Sequence, residues 1–207
     1  MKITYLAMFL LLIGRPTSHG AEKLILFDGN SFAGWEGDTN KSFRIESGAI
    51  VGGSMERPVP RNEFLATKRS YTNFVLELDW KVVGKGVNGG VQIRSARIPN
   101  HHEVSGYQAD LGDPGWWGCL YDESRRNKVL AQAPAEIAEK TVKRDDWNHY
   151  TIRCEGKTIQ LSINGRQTVN YTESEPGIAQ SGIIALQIHG GGPSEAWYRN
   201  IMITELP

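Results

Sequence analysis

The sequence predicts an all-β fold, a two-sheet antiparallel jelly-roll sandwich with one short helix. Three observations predict it. From residue 21 on, short runs rich in Val, Ile, Leu and aromatic residues are broken at even spacing by Gly, Asn, Asp and Pro. Several of those runs alternate polar and apolar side chains, the period of a strand with one buried face. One segment alone, Ala135 to Lys140, reads as helix, with Pro134 near its first position. No internal repeat, low-complexity tract or linker interrupts the chain, so residues 21–207 read as one domain with enough length for a core.

The strands follow in order. Leu24 to Phe27 ends at Asp28-Gly29-Asn30. Phe43 to Glu46 and Ala49 to Val51 flank Ser47-Gly48, a tight hairpin signal. Phe64 to Thr67, Phe74 to Val83, Val91 to Arg94, Gly106 to Leu111 and Gly118 to Tyr121 come next. Trp147 to Glu155 and Thr158 to Ile163 join through Gly156-Lys157, and Asn164-Gly165 turns the chain into Gln167 to Tyr171. Ile183 to Ile188 and Tyr198 to Glu205 close the set. The longest irregular stretches are Ala96 to Ser105 and Gly112 to Gly118, where loops on a rigid sheet tend to carry function.

The first twenty residues stand apart. Lys2 precedes the apolar run Ile3 to Ile13, and Ser18-His-Gly20 offers small residues at a cleavage site. This reads as a secretory signal peptide over residues 1–20, with export to the periplasm or the exterior. The run falls short of the roughly 20 residues that span a bilayer. Without Lys2 and Arg15, the 23 basic residues become 21, against 23 acidic ones. That balance, with no basic cluster, excludes nucleic acid and an anionic membrane as expected partners. Cys119 and Cys154 sit in separate apparent strands and are expected to be free thiols, although an exported chain is permitted to join them.

Four strands carry a polar pair at i and i+2. Gln92 and Arg94 lie opposite Val91 and Ile93. Gln108 and Asp110 share a face, as do Gln187 and His189, and Glu77 and Asp79. If these strands share one sheet, they form a wall of amides and charges that suits a ligand covered in hydroxyls. Solvated outer faces more commonly carry Lys, Thr, Ser and Glu, and Lys is nearly absent here. Trp116 and Trp117 stand on the Gly-rich loop Gly112 to Gly118, one expected against the ligand and the other in the core. Trp35, Trp80 and Trp147 read as structural. His101, His102 and Glu103 offer proton transfer or a divalent cation site, although adjacent His side chains on an extended loop are expected to point apart. Tyr121 offers a phenol, and the charges from Asp122 to Arg126 read as a surface network. Gly190 to Gly192 with Pro193 reads as a sharp loop after His189.

Several functions find no motif. There is no Gly-x-Ser-x-Gly elbow, no phosphate loop and no glycine-rich strand-to-helix turn of a dinucleotide-binding unit. A Glu-x-Asp-x-x-Glu strand of the laminarinase type is missing too, because Lys81 and Val82 follow Asp79 with no second Glu.

As an ordered set, the motifs resemble the 3-keto-disaccharide hydrolase family. Leu26-Phe-Asp-Gly-Asn-Ser-Phe-Ala-Gly-Trp35 is similar to its opening signature, and Asn88-Gly-Gly-Val-Gln-Ile-Arg94 to its Asn-Ser-Gly-x-x-x-Arg strand. Gly106 to Asp110, Asp146-Trp-Asn148, Asn164-Gly165, and the close from Gln187-x-His189 to Tyr198-Arg-Asn-Ile201 also match. The resemblance implies a concanavalin A-like sandwich with its site on the concave sheet, acting on glycosides oxidised at C3. Elimination across C1 and C2 followed by hydration is the implied chemistry. On this reading Asp110 or His189 is the base, Arg94 stabilises the enolate, and Tyr121 or Glu103 is the acid. Asn88, Gln92, Gln108 and Gln187 hold hydroxyls. Gln108 stands where many members carry Glu, and an amide is no base. No cofactor beyond the possible divalent cation is expected, and the partner is an oligosaccharide or glycoside. A non-catalytic carbohydrate-binding module is the competing reading, because the same fold serves lectins.

Overall fold

The computed structural model describes residues 22–112 and 115–207. The predicted leader, residues 1–20, lies outside the described residues. Fifteen strands and one helix follow in chain order. The first five strands are β1 (Lys23–Ile25), β2 (Trp35–Glu36), β3 (Phe43–Glu46), β4 (Ala49–Val59) and β5 (Glu63–Tyr71). Next are β6 (Phe74–Gly84), β7 (Gly89–Arg97), β8 (Val104–Asp110), β9 (Leu120–Glu123) and β10 (Lys128–Ala131). Helix α1 (Ala135–Thr141) precedes β11 (Asn148–Glu155), β12 (Thr158–Ile163), β13 (Arg166–Thr172), β14 (Gly182–Ile188) and β15 (Gly191–Glu205).

The strands form two antiparallel sheets, as the sequence predicts. One runs β13-β12-β11-β6-β15-β4-β3, with β1 also paired to β15; the other runs β10-β9-β8-β7-β14-β5-β2. The alternation places the core between them. Leu76, Leu78 and Trp80 of β6 face Val91, Ile93, Tyr107 and Leu186 of the second sheet. Burying such side chains is the main drive for stacking the layers, at about 25 cal/mol per Å² of apolar surface. Trp80 stacks on Trp117 at 5.6 Å, and both are buried.

The hairpin signals hold. Ser47 and Gly48 have φ of 50° and 73°, and Asn164 and Gly165 have 49° and 78°, so both turns use positive φ at their two central residues. Cys119, just before β9, and Cys154, on β11, are free and buried. Trp35 is buried, and Trp147 lies under the Arg199 guanidinium at 3.8 Å.

Three expectations need correction. The irregular stretch from Ala96 to Ser105 is shorter, because β7 reaches Arg97 and β8 starts at Val104. The loop at Gly190–Pro193 is mostly strand, because β15 begins at Gly191 against β4. The four polar pairs do not share one sheet. Glu77 and Asp79 lie on β6, in the sheet that lacks the other three pairs.

Candidate functional site

The second sheet carries the polar wall on the face turned away from the core. Three adjacent strands, β8, β7 and β14, present Gln108, Gln92 and Gln187, all buried. Register aligns them: Gln92 stands opposite Gln108, and Gln187 opposite Gly90. Gly90 is required there, since a Cβ would come within 2.6 Å of the Gln108 side chain.

A directed chain of hydrogen bonds crosses this face. Ser95 Oγ donates to Gln92 Oε1 at 2.8 Å. Gln92 Nε2 donates to Gln108 Oε1 at 2.7 Å, and Gln108 Nε2 donates to Asp110 Oδ2 at 3.0 Å. The Gly112 amide donates to Asp110 Oδ1 at 2.9 Å. These donors favour the carboxylate, but burial outweighs them. Asp110 is 2% exposed, and its carboxyl is pushed up to about 7, with the Glu123 charge adding to the rise.

Above this chain opens a cleft of about 140 Å³ lined by Asn88, Gln108, Asp110, Trp116, Tyr121, Glu123 and His189. Neither Lys nor Arg lines it. Glu123 is raised by burial and then by the charge of Glu103, against the opposing pull of His189 and of Gln187. The Tyr121 phenol is raised by burial and by Glu123 and Asp110. His189 Nδ1 lies 2.7 Å from the Gly190 carbonyl. That contact needs a proton on Nδ1, because a carbonyl oxygen only accepts. The His189 amide bonds to the Asn88 carbonyl at 3.0 Å, so the two loops bearing these side chains are tied together. Buried Asn88 Oδ1 and Gln187 Oε1 have no hydrogen-bond partner among the described residues. Both are acceptors, which a ligand hydroxyl satisfies.

Of the residues predicted from sequence, Asn88, Gln108, Asp110, Trp116, Tyr121 and His189 therefore meet in one cleft. Gln92 and Gln187 lie beneath it. Glu103 stands behind Glu123 and accepts a hydrogen bond from Ser124 Oγ.

Three expectations are overturned and one is met. Arg94 leaves the wall, because a bulge shifts the β7–β8 register between Ile93 and Ala96 and Arg94 takes φ +48°. Its side chain turns to the edge of the sandwich and donates to the carbonyls of Thr72 and Gly156 and to Gln180 Oε1 and Asn73 Oδ1. Trp117 is core, as one of the two indoles was expected to be. Glu77 and Asp79 face outward on the other sheet, where Lys23 pairs Glu77 and His149 pairs Asp79. The His101 and His102 rings do not point apart but stack at 4.3 Å, because the loop turns at Asn100 with φ +58°. Among the described residues, no three His, Cys, Asp or Glu side chains converge as metal ligands.

Sequence reasoning missed Glu123. It lay inside the charged run Tyr121 to Arg126, read there as surface. The signal was its period of two with Tyr121, which puts both side chains on one face. Asp122 between them points inward, where it bonds Arg125 and Arg126.

The sandwich has relatives among solved structures. A provisionally named glycosyl hydrolase from Parabacteroides distasonis is 20% identical, with a TM-score of 0.70 over 89% of this chain and 94% of its own. The carbohydrate-binding module CBM66 from Bacillus subtilis is 16% identical, with a TM-score of 0.64 over 83% of this chain and 96% of its own. A β-glucanase from Bacillus licheniformis is 12% identical, with a TM-score of 0.57 over 92% of this chain and 100% of its own. These likenesses establish the shared sandwich. No curated protein matches the sequence. No helix among the described residues is long and apolar enough to cross a membrane. The family profile of the 3-keto-alpha-glucoside-1,2-lyase-like domain matches residues 23–204, nearly the whole described chain, and the protein belongs to that carbohydrate-active family.

Proposed function

We propose that the protein cleaves 3-keto-glycosides by elimination across C1 and C2 followed by hydration, after export from the cell. The observation that carries this reading is the pairing of Asp110 and Glu123. They are two carboxyl groups pushed toward neutrality in one cleft that no Lys or Arg lines. A ketone at C3 acidifies the C2 proton. Burial makes Glu123 a stronger base than a free carboxylate, and it takes that proton. Negative charge then develops on the C3 oxygen. With no Lys or Arg among the described lining residues, neutral donors hold it: the Tyr121 phenol and protonated Asp110. The C1–O bond breaks, and the leaving oxygen takes a proton from His189 Nε2. Glu123 exchanges its proton with solvent; water then adds to the enone, its oxygen to C1 and the exchanged proton from Glu123 to C2, while His189 recovers its proton from the same water. The sum is glycoside plus water giving glycone plus aglycone.

Asn88 Oδ1 and Gln187 Oε1 accept hydroxyls, and the exposed ring of Trp116 covers a sugar face. The test is to incubate the purified protein with a panel of 3-keto-glucosides and follow glycone release. Release supports the reading, and none across the panel removes it.

Trp116 favours a second reading, a binding module without turnover. It is 38% exposed, edge-on to Tyr121 at 5.8 Å, above a floor of amides. Tight binding of unoxidised sugars with no release from the keto panel selects that alternative.

A further inference from the structure

We propose that the protein carries a second carbohydrate site, in a groove at the β3–β4 edge, that takes an uncharged oligosaccharide. This rests on membership of a carbohydrate-active family, and not on the cleavage proposed above. The groove holds about 460 Å³, against about 140 Å³ for the cleft, and none of the cleft residues lines it. Its size falls within the range of ligand sites.

Both walls are built in advance. One is a bulge in β4. The ladder to β15 runs from Ser54↔Ser194 to Pro58↔Pro193, so Met55, Glu56 and Arg57 have no partner across it and swing out of the sheet. Gly53 starts the bulge at φ +84°, and a Cβ there would fall 2.3 Å from the Ser194 carbonyl oxygen. The other wall is the turn before β3. Asp38 Oδ1 accepts the amides of Asn40 and Lys41, both at 3.1 Å. Arg57 Nη2 reaches across to the Lys41 carbonyl at 3.2 Å and ties the walls together.

The floor is an ordered ion pair. Arg44 Nη2 donates to Glu195 Oε1 at 2.7 Å, and Glu195 Oε2 accepts from Trp197 Nε1 at 2.9 Å. Arg44 also donates to Glu46 and to the Gly53 carbonyl. Three of the five guanidinium N–H groups are thus used, and two remain for a ligand.

The chemistry selects the ligand class. Lys41, Arg44 and Arg57 are matched by Glu46, Glu56 and Glu195, so no net field favours an anion or a cation. The lining instead interleaves donors and acceptors, with the hydroxyls of Thr39, Ser42 and Ser54 among them. Neighbouring sugar hydroxyls, which both donate and accept, fit that lining. Met55 is 46% exposed and offers an apolar contact to the C–H face of a ring. A shallow extension of the groove reaches Ile188, the residue before His189, so groove and cleft flank the same end of β14.

The experiment labels the methionine methyls. Met55 and Met202 are the methionines among the described residues. The intact protein is titrated with neutral gluco-oligosaccharides and with matched uronate oligosaccharides, while the Met55 methyl and the Trp116 indole are followed by NMR. We expect a saturable Met55 shift with the neutral series, with its own concentration dependence, and about a tenfold weaker midpoint in Lys41→Ala and in Arg57→Ala. No Met55 shift across the panel overturns the proposal. A shift with uronates alone overturns it in favour of an anion site, and movement of Trp116 without Met55 leaves the cleft as the sugar site. Because unoxidised sugars are used, the outcome is independent of whether 3-keto-glycosides are cleaved.

Discussion

The two sheets carry the same sequence pattern on their outer faces and opposite electrostatics. Glu77 and Asp79 on β6 are spaced like Gln108 and Asp110 on β8, and like Tyr121 and Glu123 on β9. Around Asp79 stand His149, Asn200 and Arg199. Burial there pushes the Asp79 carboxyl up, but those partners outweigh it and hold the carboxyl below its usual range. Around Asp110 and Glu123 stand amides, a phenol, His189 and each other, and burial pushes both upward against the pull of His189 on Glu123. A carboxylate matched by cations is a surface tie of little energy. One raised by burial, with no Lys or Arg beside it, is suited to moving a proton. The difference lies in the partners, which are set by strand order and not by the strand's own sequence.

Substitutions that interchange these environments separate the two faces. Glu123→Gln removes the base and is expected to lower kcat/KM about 10²–10⁴-fold with an unchanged melting temperature. Steady-state kinetics on a 3-keto-glucoside checks it. Arg94→Ala is expected to act on the fold instead. Four exposed or half-buried acceptors lose their donor, and chemical denaturation should show a loss of about 1–3 kcal/mol, with kcat/KM of the folded protein within about threefold of the parent.

Asp110→Asn tests the neutral donor. The raised carboxyl means that the folded state binds this proton more tightly than the unfolded chain, whose value is 3.8. Its contribution to stability is full below about 4 and is lost as pH rises toward about 7. An amide keeps a donor that does not ionise. The hydrogen-bond chain reverses to receive it, because the Ser95 hydroxyl accepts as readily as it donates. The variant should therefore keep turnover within about tenfold, lose the decline in kcat above pH ~7, and melt higher than the parent above that pH. Paired pH profiles and thermal melts decide this. Asp79→Asn is the smallest change. Its carboxylate contributes above 3.8, and that contribution is lost as pH falls through its lowered value. We expect about 0.5 kcal/mol at neutral pH and no effect on kcat/KM, read by denaturation and kinetics.

The sandwich was legible because its signals are local. Asn164-Gly165 and Ser47-Gly48 need positive φ, and Val91, Ile93, Leu186 and Ile188 alternate into the core. The amide wall was legible for the same reason, from the alternation of Gln92, Gln108 and Gln187. Arg94 was misread because a β-bulge reverses which face follows Ile93, and nothing in Ile93-Arg94-Ser95 announces one. Glu77 and Asp79 were misplaced because strand order within a sheet is a long-range property. Glu123 was missed because charges in a run look alike until burial sorts them. Asp122 goes inward to two arginines, and Glu123 goes outward to none.

The central claim is that Glu123, raised by burial on the second sheet, takes the C2 proton, exchanges it with solvent and then protonates C2. Turnover of a 3-keto-glucoside in D2O, sampled before uncatalysed exchange becomes appreciable, tests it most directly. Mass spectrometry and NMR of the released glycone should find solvent deuterium at C2, at a rate that falls with Glu123→Gln. A glycone released with its original hydrogen at C2 would contradict the account.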